Sequence, residues 1–266
     1  MKMNLKTVIA LLTVGLVFNS CGDDPFVPLF TISDDVKLGK KVEAEIASKP
    51  SEYPVLDSAT NKDAYAFLYG IRNEILNSGE VNYKDDFAWR LKIIKDDSTL
   101  NAFCTPGGFI YVYTGLIKYL KSKDELAGVM GHEMAHADRR HTSRSMQNQY
   151  GITTLLDIVL GNNNSSIADL ATNVILLKNS RAHETEADEY SVKYLCPTTY
   201  NAAGASGFFQ KLIDDGYTEN SLQTFFSTHP SPTNRVQNIQ QNKADLNCAG
   251  TGTFDAQYAA FKALLP

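Results

Sequence analysis

The sequence lacks a hydrophobic run of membrane-spanning length, and it lacks any excess of positive charge. Its N-terminal apolar stretch, Thr7 to Phe18, is shorter than the ~20 residues that a transmembrane helix needs. The formal net charge of −5 leaves no basic field to hold a polyanion, so we expect no nucleic-acid partner. With 266 residues, 43% of them hydrophobic, the chain has enough apolar side chains for one sizeable core, and a single domain is predicted.

The N-terminus has the pattern of an export signal followed by a lipid attachment site. Basic residues in MKMNLK precede the apolar stretch, which predicts a signal peptide over residues 1–20. Ser20 and Cys21 then resemble a bacterial lipoprotein cleavage site, at which the cysteine is lipidated and becomes the first residue of the mature protein. Residues 21–32 are predicted to be a tether between this lipid anchor and a domain over residues 33–266. The anchor would attach the protein to a membrane. Simple secretion and an uncleaved anchor are the alternatives.

Cysteine is scarce, and its number limits the possible disulfides. Without Cys21 the chain keeps three cysteines, so at most one internal disulfide can form. We predict that Cys196 pairs with Cys248, because both lie beside turn-like residues in the C-terminal third. Cys104 lies in an apolar, strand-like stretch and is predicted to be a buried thiol. The alternative is that all three remain unpaired.

Hydrophobic periodicity predicts a mostly helical α+β fold in which a small β-sheet or hairpin precedes a long central helix. The strand FAWRLKII (87–94) is followed by NAFCTPGGFIYVYTGLI, whose Pro-Gly-Gly indicates a tight turn between two strands. Ser122 and Glu125 form a capping-box pattern ahead of LAGVMGHEMAHADRR. Other helices are predicted from Ser33, as the N-cap, to Lys49, and at 61–76, 142–160, 179–195, 202–214 and 232–243. Residues 167–177 are predicted to pack against the core or to form a flap.

The helix around GHEMAH carries the strongest chemical signal in the sequence. Residues four apart on a helix differ by about 40° in direction, so His132 and His136 can reach one metal ion. Glu133 is rotated by about 100° and can contact a metal-bound water instead. Zinc lowers the pKa of such a water toward ~7, and a carboxylate can take its proton as the water attacks a carbonyl. The alternative is a pair of core histidines that are satisfied by hydrogen bonds.

A catalytic zinc ion normally has three protein ligands, so a third one is needed. His141 is one candidate, although the glycine and histidine spacing of a metzincin is absent. The other candidate is NSRAHETEADEY, in which Glu184 can complete the ligand set and Asp188, one turn later, can hold a ligand histidine through its free ring nitrogen. The competing interpretation of this segment is an exposed acidic helix face that includes Glu186 and Glu189.

Four blocks of this sequence together resemble a known family: NAFCTPGGFIYVYTGLI, HEMAHADRRH, SRAHETEAD and HPSPTNR. They are similar to the zinc metallopeptidases that include the CAAX prenyl endopeptidases and the mitochondrial Oma-type proteases. Within that family the chain looks like the periplasmic, lipid-anchored branch, which implies a place in the bacterial cell envelope, on the periplasmic side of the outer membrane. The resemblance extends from about residue 33 to residue 242 and implies a zincin-like fold.

The resemblance also implies residue roles. One Zn²⁺ ion per chain would be bound by His132, His136 and Glu184, and Glu133 would be the general base that later protonates the leaving amine. His229, in HPSPTNR, would donate to the tetrahedral oxyanion. A histidine beside a proline can also be a plain turn residue. Arg235 is expected to be structural.

The family likeness implies that an edge strand near the zinc ion pairs with an extended substrate, and FIYVYT is expected to be that strand. Pairing through the backbone depends little on the side chains of the substrate. The predicted substrates are therefore unfolded or misassembled envelope proteins, cleaved with loose specificity as in quality control. Two alternatives remain. One is a zinc amidase or esterase with the same ligands. The other is a peptidase-like chaperone that binds envelope proteins with little or no cleavage.

Overall fold

The computed structural model describes residues 30–163, 167–217, 223–230 and 234–266, so the predicted signal peptide, Cys21 and most of the tether lie outside the described residues. Its strands are β1 (Arg90–Ile94), β2 (Ala102–Thr105) and β3 (Phe109–Tyr113). The helices are α1 (Ile32–Ala47), α2 (Lys62–Leu76), α3 (Thr114–Tyr119), α4 (Lys123–Asp138), α5 (His141–Tyr150), α6 (Ile152–Leu160), α7 (Ile167–Ile175), α8 (Arg181–Leu195), α9 (Gly204–Asp214), α10 (Gln223–Thr228), α11 (Arg235–Asp245) and α12 (Asp255–Lys262). The predicted α+β, mostly helical class is confirmed. Across the described ranges, no helix is both long and apolar enough to span a membrane.

The three strands form one sheet in the order β1-β3-β2. β1 runs parallel to β3, with Arg90 opposite Phe109, and β2 runs antiparallel to β3, with Cys104 opposite Ile110. The predicted hairpin is therefore β2–β3, closed by the turn at residues 106–108. The expectation that FIYVYT is an edge strand is wrong, because β3 is hydrogen-bonded on both sides. β1 and β2 are the strands at the two edges of the sheet.

The sheet is buried on both faces, which explains why β3 is apolar at every position. Ile110 and Val112 belong to the larger core cluster, together with side chains of α2, α4, α8 and α9. Phe109, Tyr111 and Tyr113 belong to a second cluster with side chains of α1, α6 and α7. The sheet thus separates two hydrophobic layers, and the central helix α4 lies in the first.

Helix boundaries differ from the prediction where local capping or glycine decides them. α1 starts one residue before Ser33, because Thr31 is its N-cap and forms a capping box with Asp34. The helix predicted over 142–160 is two helices, separated by Gly151 at φ 77°, a left-handed value that favours glycine. Ser122 is the N-cap of α4 as predicted, but its side chain bonds Asp124 instead of a backbone N–H. The short helices α10 and α12 were not predicted.

The α4 helix is buried on every side, which removes the usual amphipathic pattern from its sequence. It packs against α8 and α9, and Gly128 makes the second contact possible. A Cβ atom at Gly128 would lie 2.3 Å from the backbone nitrogen of Ala205 in α9. The Ser191 hydroxyl of α8 donates a hydrogen bond of 2.7 Å to the Gly128 carbonyl. Close packing therefore holds α8 at a set position along α4.

Candidate metal centre

Helices α4 and α8 bring three predicted ligand side chains to one point. The Nε2 atoms of His132 and His136 are 3.0 Å apart. The Glu184 carboxylate from the first turn of α8 lies 3.4 Å from His132 Nε2 and 3.2 Å from His136 Nε2. All three side chains are buried. The alternative of an exposed acidic face does not apply to Glu184, whose exposed fraction is 0%.

The spacing of these donors fits a small divalent ion. Donors bound to one zinc ion at ~2.0–2.2 Å in tetrahedral geometry lie ~3.3 Å apart. The observed separations of 3.0, 3.2 and 3.4 Å are close to this value. Oε2 of Glu184 is buried and makes ionic contacts of 3.4 Å with His132 and 3.3 Å with Arg235, but no hydrogen bond of good geometry within the described residues, which suits an atom that ligates a cation. His229 adds a fourth donor, and the ligand atoms of the four residues lie within 4.8 Å of one another.

Asp188 contacts His132 on the side of the ring that faces away from the cluster. Its Oδ1 atom lies 2.8 Å from Nδ1 of His132, the ring nitrogen that faces away from Glu184. Arg235, the first residue of α11, donates two hydrogen bonds of 2.7 Å to the Asp188 carboxylate and lies 3.3 Å from Glu184. Its guanidinium also stacks on the Phe209 ring at 3.9 Å. Arg235, which the sequence analysis expected to be structural, thus contacts two side chains of the centre directly.

His141 lies behind the second histidine and not among the candidate ligands. Its Nδ1 atom is 3.0 Å from Nδ1 of His136, and its Nε2 atom is 3.1 Å from Oε2 of Glu186. Arg139 donates a 2.8 Å hydrogen bond to the other oxygen of Glu186. His141 therefore contacts Nδ1 of His136, the ring nitrogen that does not face His132, and it is not one of the four side chains whose ligand atoms cluster.

The pKa values of His132 and His136 are shifted in opposite directions by their surroundings. Burial alone lowers the pKa of His132, but hydrogen bonds to Asp188 and Glu184 outweigh it and raise that pKa to about 9. Burial lowers the pKa of His136 to about 3, with only partial compensation from Glu184. Burial raises the pKa of Glu184, yet the charges and hydrogen bonds of the neighbouring histidines hold it well below its usual range. A carboxylate at Glu184 and a neutral ring at His136 are the forms that bind metal ions.

Glu133 is positioned beside the cluster and outside it. It is 2% exposed, and its Oε2 atom has no hydrogen-bond partner among the described residues. Its Oε1 atom lies 3.6 Å from Nε2 of His229. Burial raises the pKa of Glu133, and the nearby histidines offset only part of that effect. A carboxyl group with a raised pKa next to a metal site has the properties of a general base.

His229 joins the centre from the end of α10. Its ring stacks on Phe225 at 5.1 Å, and its Nδ1 atom lies 3.3 Å from Oε1 of Glu184. Its Nε2 atom lies 3.4 Å from the carbonyl oxygen of Ala102 in the edge strand β2. The backbone N–H of Asn179, just before α8, donates to the Thr228 carbonyl at 3.0 Å. These contacts tie the end of α10 to both the edge strand and the start of α8, so His229 is more than a turn residue.

A narrow cavity of about 20 Å³ opens onto this cluster, which is room for about one water molecule. Glu133, His136 and His229 line one part of it, and Cys104 of β2 lines another. The remaining wall includes side chains from α7 and the segment that follows: Val174, Ile175, Leu177 and Asn179. The 167–177 segment, predicted to be core or flap, therefore packs on the second core cluster and borders the site.

The cysteines take the predicted arrangement in the structure. Cys196, directly after α8, forms a disulfide with Cys248, which follows α11. This bond connects the helix that carries Glu184 and Asp188 to the helix that carries Arg235. Cys104 is buried and forms no disulfide with any cysteine in the described ranges.

The fold and the site define a class of protein. Two histidines and a glutamate in His-Glu-x-x-His on one buried helix, with a carboxylate from a second helix, are the side chains of a metal-dependent hydrolase. The model of peptidase family M48 matches residues 71–243, which include every residue of the centre. The chain belongs to peptidase family M48, and the predicted relation to Oma-type metallopeptidases is confirmed.

Individual relatives agree with this assignment. Metalloprotease YcaL of Escherichia coli (strain K12) is 30% identical over 75% of this chain and 74% of the relative. The mitochondrial metalloendopeptidase OMA1 of Schizosaccharomyces pombe is 29% identical over 60% of this chain and 48% of the relative. A putative beta-barrel assembly-enhancing protease of Vibrio cholerae is 25% identical over 67% of this chain and 42% of the relative. The last two are much longer than the region that they share with this chain.

Sequence reasoning missed three side chains of the site. Glu186 enters the sequence analysis only as part of a possible exposed acidic face, and its position two residues before Asp188 does not indicate the contact with His141. Asn179, whose Nδ2 atom is 3.5 Å from His136 Nε2, stands at the start of the helix predicted over 179–195, and nothing in its sequence context indicates a contact with the centre. The partners of Arg235 could not be predicted, because it lies 47 positions from Asp188 in the sequence.

Proposed function

We propose that this M48 metallopeptidase is a zinc-dependent endopeptidase of the bacterial cell envelope, anchored by lipid at Cys21, which cleaves unfolded or misassembled envelope proteins. The observation that carries the proposal is the convergence of His132, His136 and Glu184 on one point, with Glu133 beside it. Two imidazoles and one carboxylate are the ligand set of known catalytic zinc sites, which keep one coordination position for water or substrate.

The roles of the side chains follow from their positions. His132, His136 and Glu184 would hold the ion, and a bound zinc ion would supply Lewis-acid activation of water and of the substrate carbonyl. Glu133 lies outside the ligand set, so its carboxylate can accept the proton of the attacking water and then deliver it to the leaving amine. His229, in contact with both Glu184 and the edge strand, would donate a hydrogen bond to the oxyanion that forms on the substrate.

The edge strand β2 supports an extended polypeptide as the substrate. No strand of the described ranges pairs with its outer side, and Ala102 in this strand contacts His229. An unfolded segment could add to the sheet through its backbone and pass the Glu133 carboxylate. Such pairing needs little sequence preference, which suits substrates that are recognised by being unfolded. The likeness to a protease named for beta-barrel assembly supports substrates in the envelope.

The decisive experiment compares cleavage with binding. Wild type, Glu133→Gln and Glu189→Gln are incubated with casein after zinc loading, and zinc content is measured in each. Glu189 is exposed on α8, so Glu189→Gln is a matched control for the loss of one carboxylate. The expected result is cleavage by wild type and the control, and loss of at least ~100-fold for Glu133→Gln with zinc still bound.

The alternative of a chaperone without proteolysis predicts a different result. In that case wild type and Glu133→Gln would both leave casein intact, and both would bind it with equal affinity. A buried carboxylate beside the metal ligands, with a raised pKa, has no use in a protein that only holds its clients. The position of Glu133 therefore favours the endopeptidase.

A further inference from the structure

A chain of polar side chains leads from His136 to the protein surface. His136 Nδ1 is 3.0 Å from His141 Nδ1, His141 Nε2 is 3.1 Å from Glu186, and Arg139 contacts Glu186 at 2.8 Å. The His141 side chain is 0% exposed, whereas those of Glu186 and Arg139 are 31% and 29% exposed. The chain therefore begins in the buried centre and ends in contact with solvent.

Each hydrogen bond in this chain has one allowed direction once His136 binds a metal ion. A histidine that ligates through Nε2 carries its proton on Nδ1, so His136 donates to His141. His141 must then accept at Nδ1 and carry its own proton on Nε2, where it donates to Glu186. The Glu186 carboxylate can only accept, and Arg139 can only donate to it. The four residues thus specify one tautomer for each ring.

The backbone is shaped to place His141 in this chain. Two residues five apart on a continuous helix differ by about 140° in direction and cannot face each other. Arg140 interrupts the helix at φ 57°, between the end of α4 and the start of α5, which turns His141 back toward His136. A 2.6 Å bond from Arg140 to the buried Asp35 holds this interruption. His141 is further held by the His183 ring, stacked on it at 4.3 Å.

We propose that His141 and Glu186 are positioning residues, which hold His136 in the tautomer and ring orientation needed to bind the metal ion. This inference rests on the proposed role of His136 as a ligand. The two ligand histidines would then be supported differently. His132 is backed directly by a carboxylate, and His136 is backed by a neutral imidazole that a carboxylate orients. Partners of this kind typically contribute 10- to 100-fold to metal affinity or activity.

The test measures metal binding and not activity alone. His141→Leu removes the acceptor for His136, while His141→Asn places an amide oxygen near the former Nδ1 position and should restore it. Glu186→Gln keeps an acceptor but removes the charge, and Glu189→Gln is the matched control on α8. Zinc affinity is determined by competition with a chelator, and the visible absorption of the Co²⁺-loaded protein reports the ligand geometry.

We expect His141→Leu to bind zinc at least ~10-fold more weakly than wild type with an altered Co²⁺ band, and His141→Asn to recover most of the affinity. Glu186→Gln should lose ~3- to 10-fold, and Glu189→Gln should match wild type. If His141→Leu does not fold, Glu186→Gln decides the question, because Glu186 is partly exposed. Affinities within twofold of wild type and an unchanged Co²⁺ band would overturn the inference. If the wild type binds no zinc, the proposed function itself is overturned. If the wild type binds zinc and the variants match it, only the inference about His141 and Glu186 is overturned.

Discussion

Replacing Glu184 by glutamine is the most direct perturbation of the candidate metal centre. The carboxylate is fully buried and lies within 3.4 Å of His132, His136, His229 and Arg235. Glutamine has nearly the same shape, so packing is preserved while the negative charge is lost. The variant therefore isolates the electrostatic contribution of one side chain.

The magnitude follows from the two states that the substitution affects. In the metal-bound state a charged ligand is replaced by a neutral one, and we expect zinc affinity to fall at least ~10-fold, or ~1.4 kcal/mol. In the metal-free state Arg235 keeps Asp188 but loses its second anion. Removing one partner of a buried ionic pair typically costs ~3–5 kcal/mol. Because Arg235 retains Asp188, the loss of stability should fall below that range.

Isothermal titration of the metal-free protein with zinc, in competition with a chelator of known affinity, measures the first effect. Guanidinium unfolding in the same buffer measures the second. Glu189→Gln, an exposed substitution on the same helix, should change neither quantity. Zinc affinity of Glu184→Gln within twofold of wild type, in a folded protein, would show that this carboxylate is not a ligand and would refute the assignment of the centre.

Three further predictions test other parts of the structure. In the metal-free protein the pKa of His132 is raised from 6.5 to about 9, so the stability that this residue contributes is complete below pH 6.5 and is lost as the pH rises through about 9. The free energy of unfolding measured with guanidinium should fall by at most ~3 kcal/mol over this pH range. In His132→Asn the free energy of unfolding should depend less on pH. Gly128→Ala should destabilise the fold by ~1–3 kcal/mol, because its Cβ would meet the α9 backbone. Gly70→Ala in α2, whose added Cβ would meet no atom within 4 Å beyond its own helix backbone and chain neighbours, should stabilise the fold by ~0.5–1 kcal/mol in the same unfolding assay. Cys21→Ser should move the protein from the membrane to the soluble fraction after cell lysis, and a variant that still sediments with membranes would contradict the lipid anchor.

The local chemistry of the site could be predicted because it depends on short-range geometry. Helical spacing alone places His132 and His136 on one face and turns Glu133 aside. The same rule places Glu184 and Asp188 one turn apart, and the structure puts them where one can ligate and the other can hold a histidine. The α+β class, the β-hairpin and most of the helices also follow from patterns within about fifteen residues.

The sequence by itself therefore determined which residue types could bind a metal ion, activate water and start or end helices, since these properties belong to single residues and short repeats. Tertiary structure alone decided that β3 is central and that β2 is an edge strand, because strand order also depends on the pairing of β1 with β3. It also decided that His141 lies against His136 and Glu186, and that Arg235 lies against Asp188. Hydrogen bonds between residues 45 to 103 positions apart leave no periodic trace in the sequence.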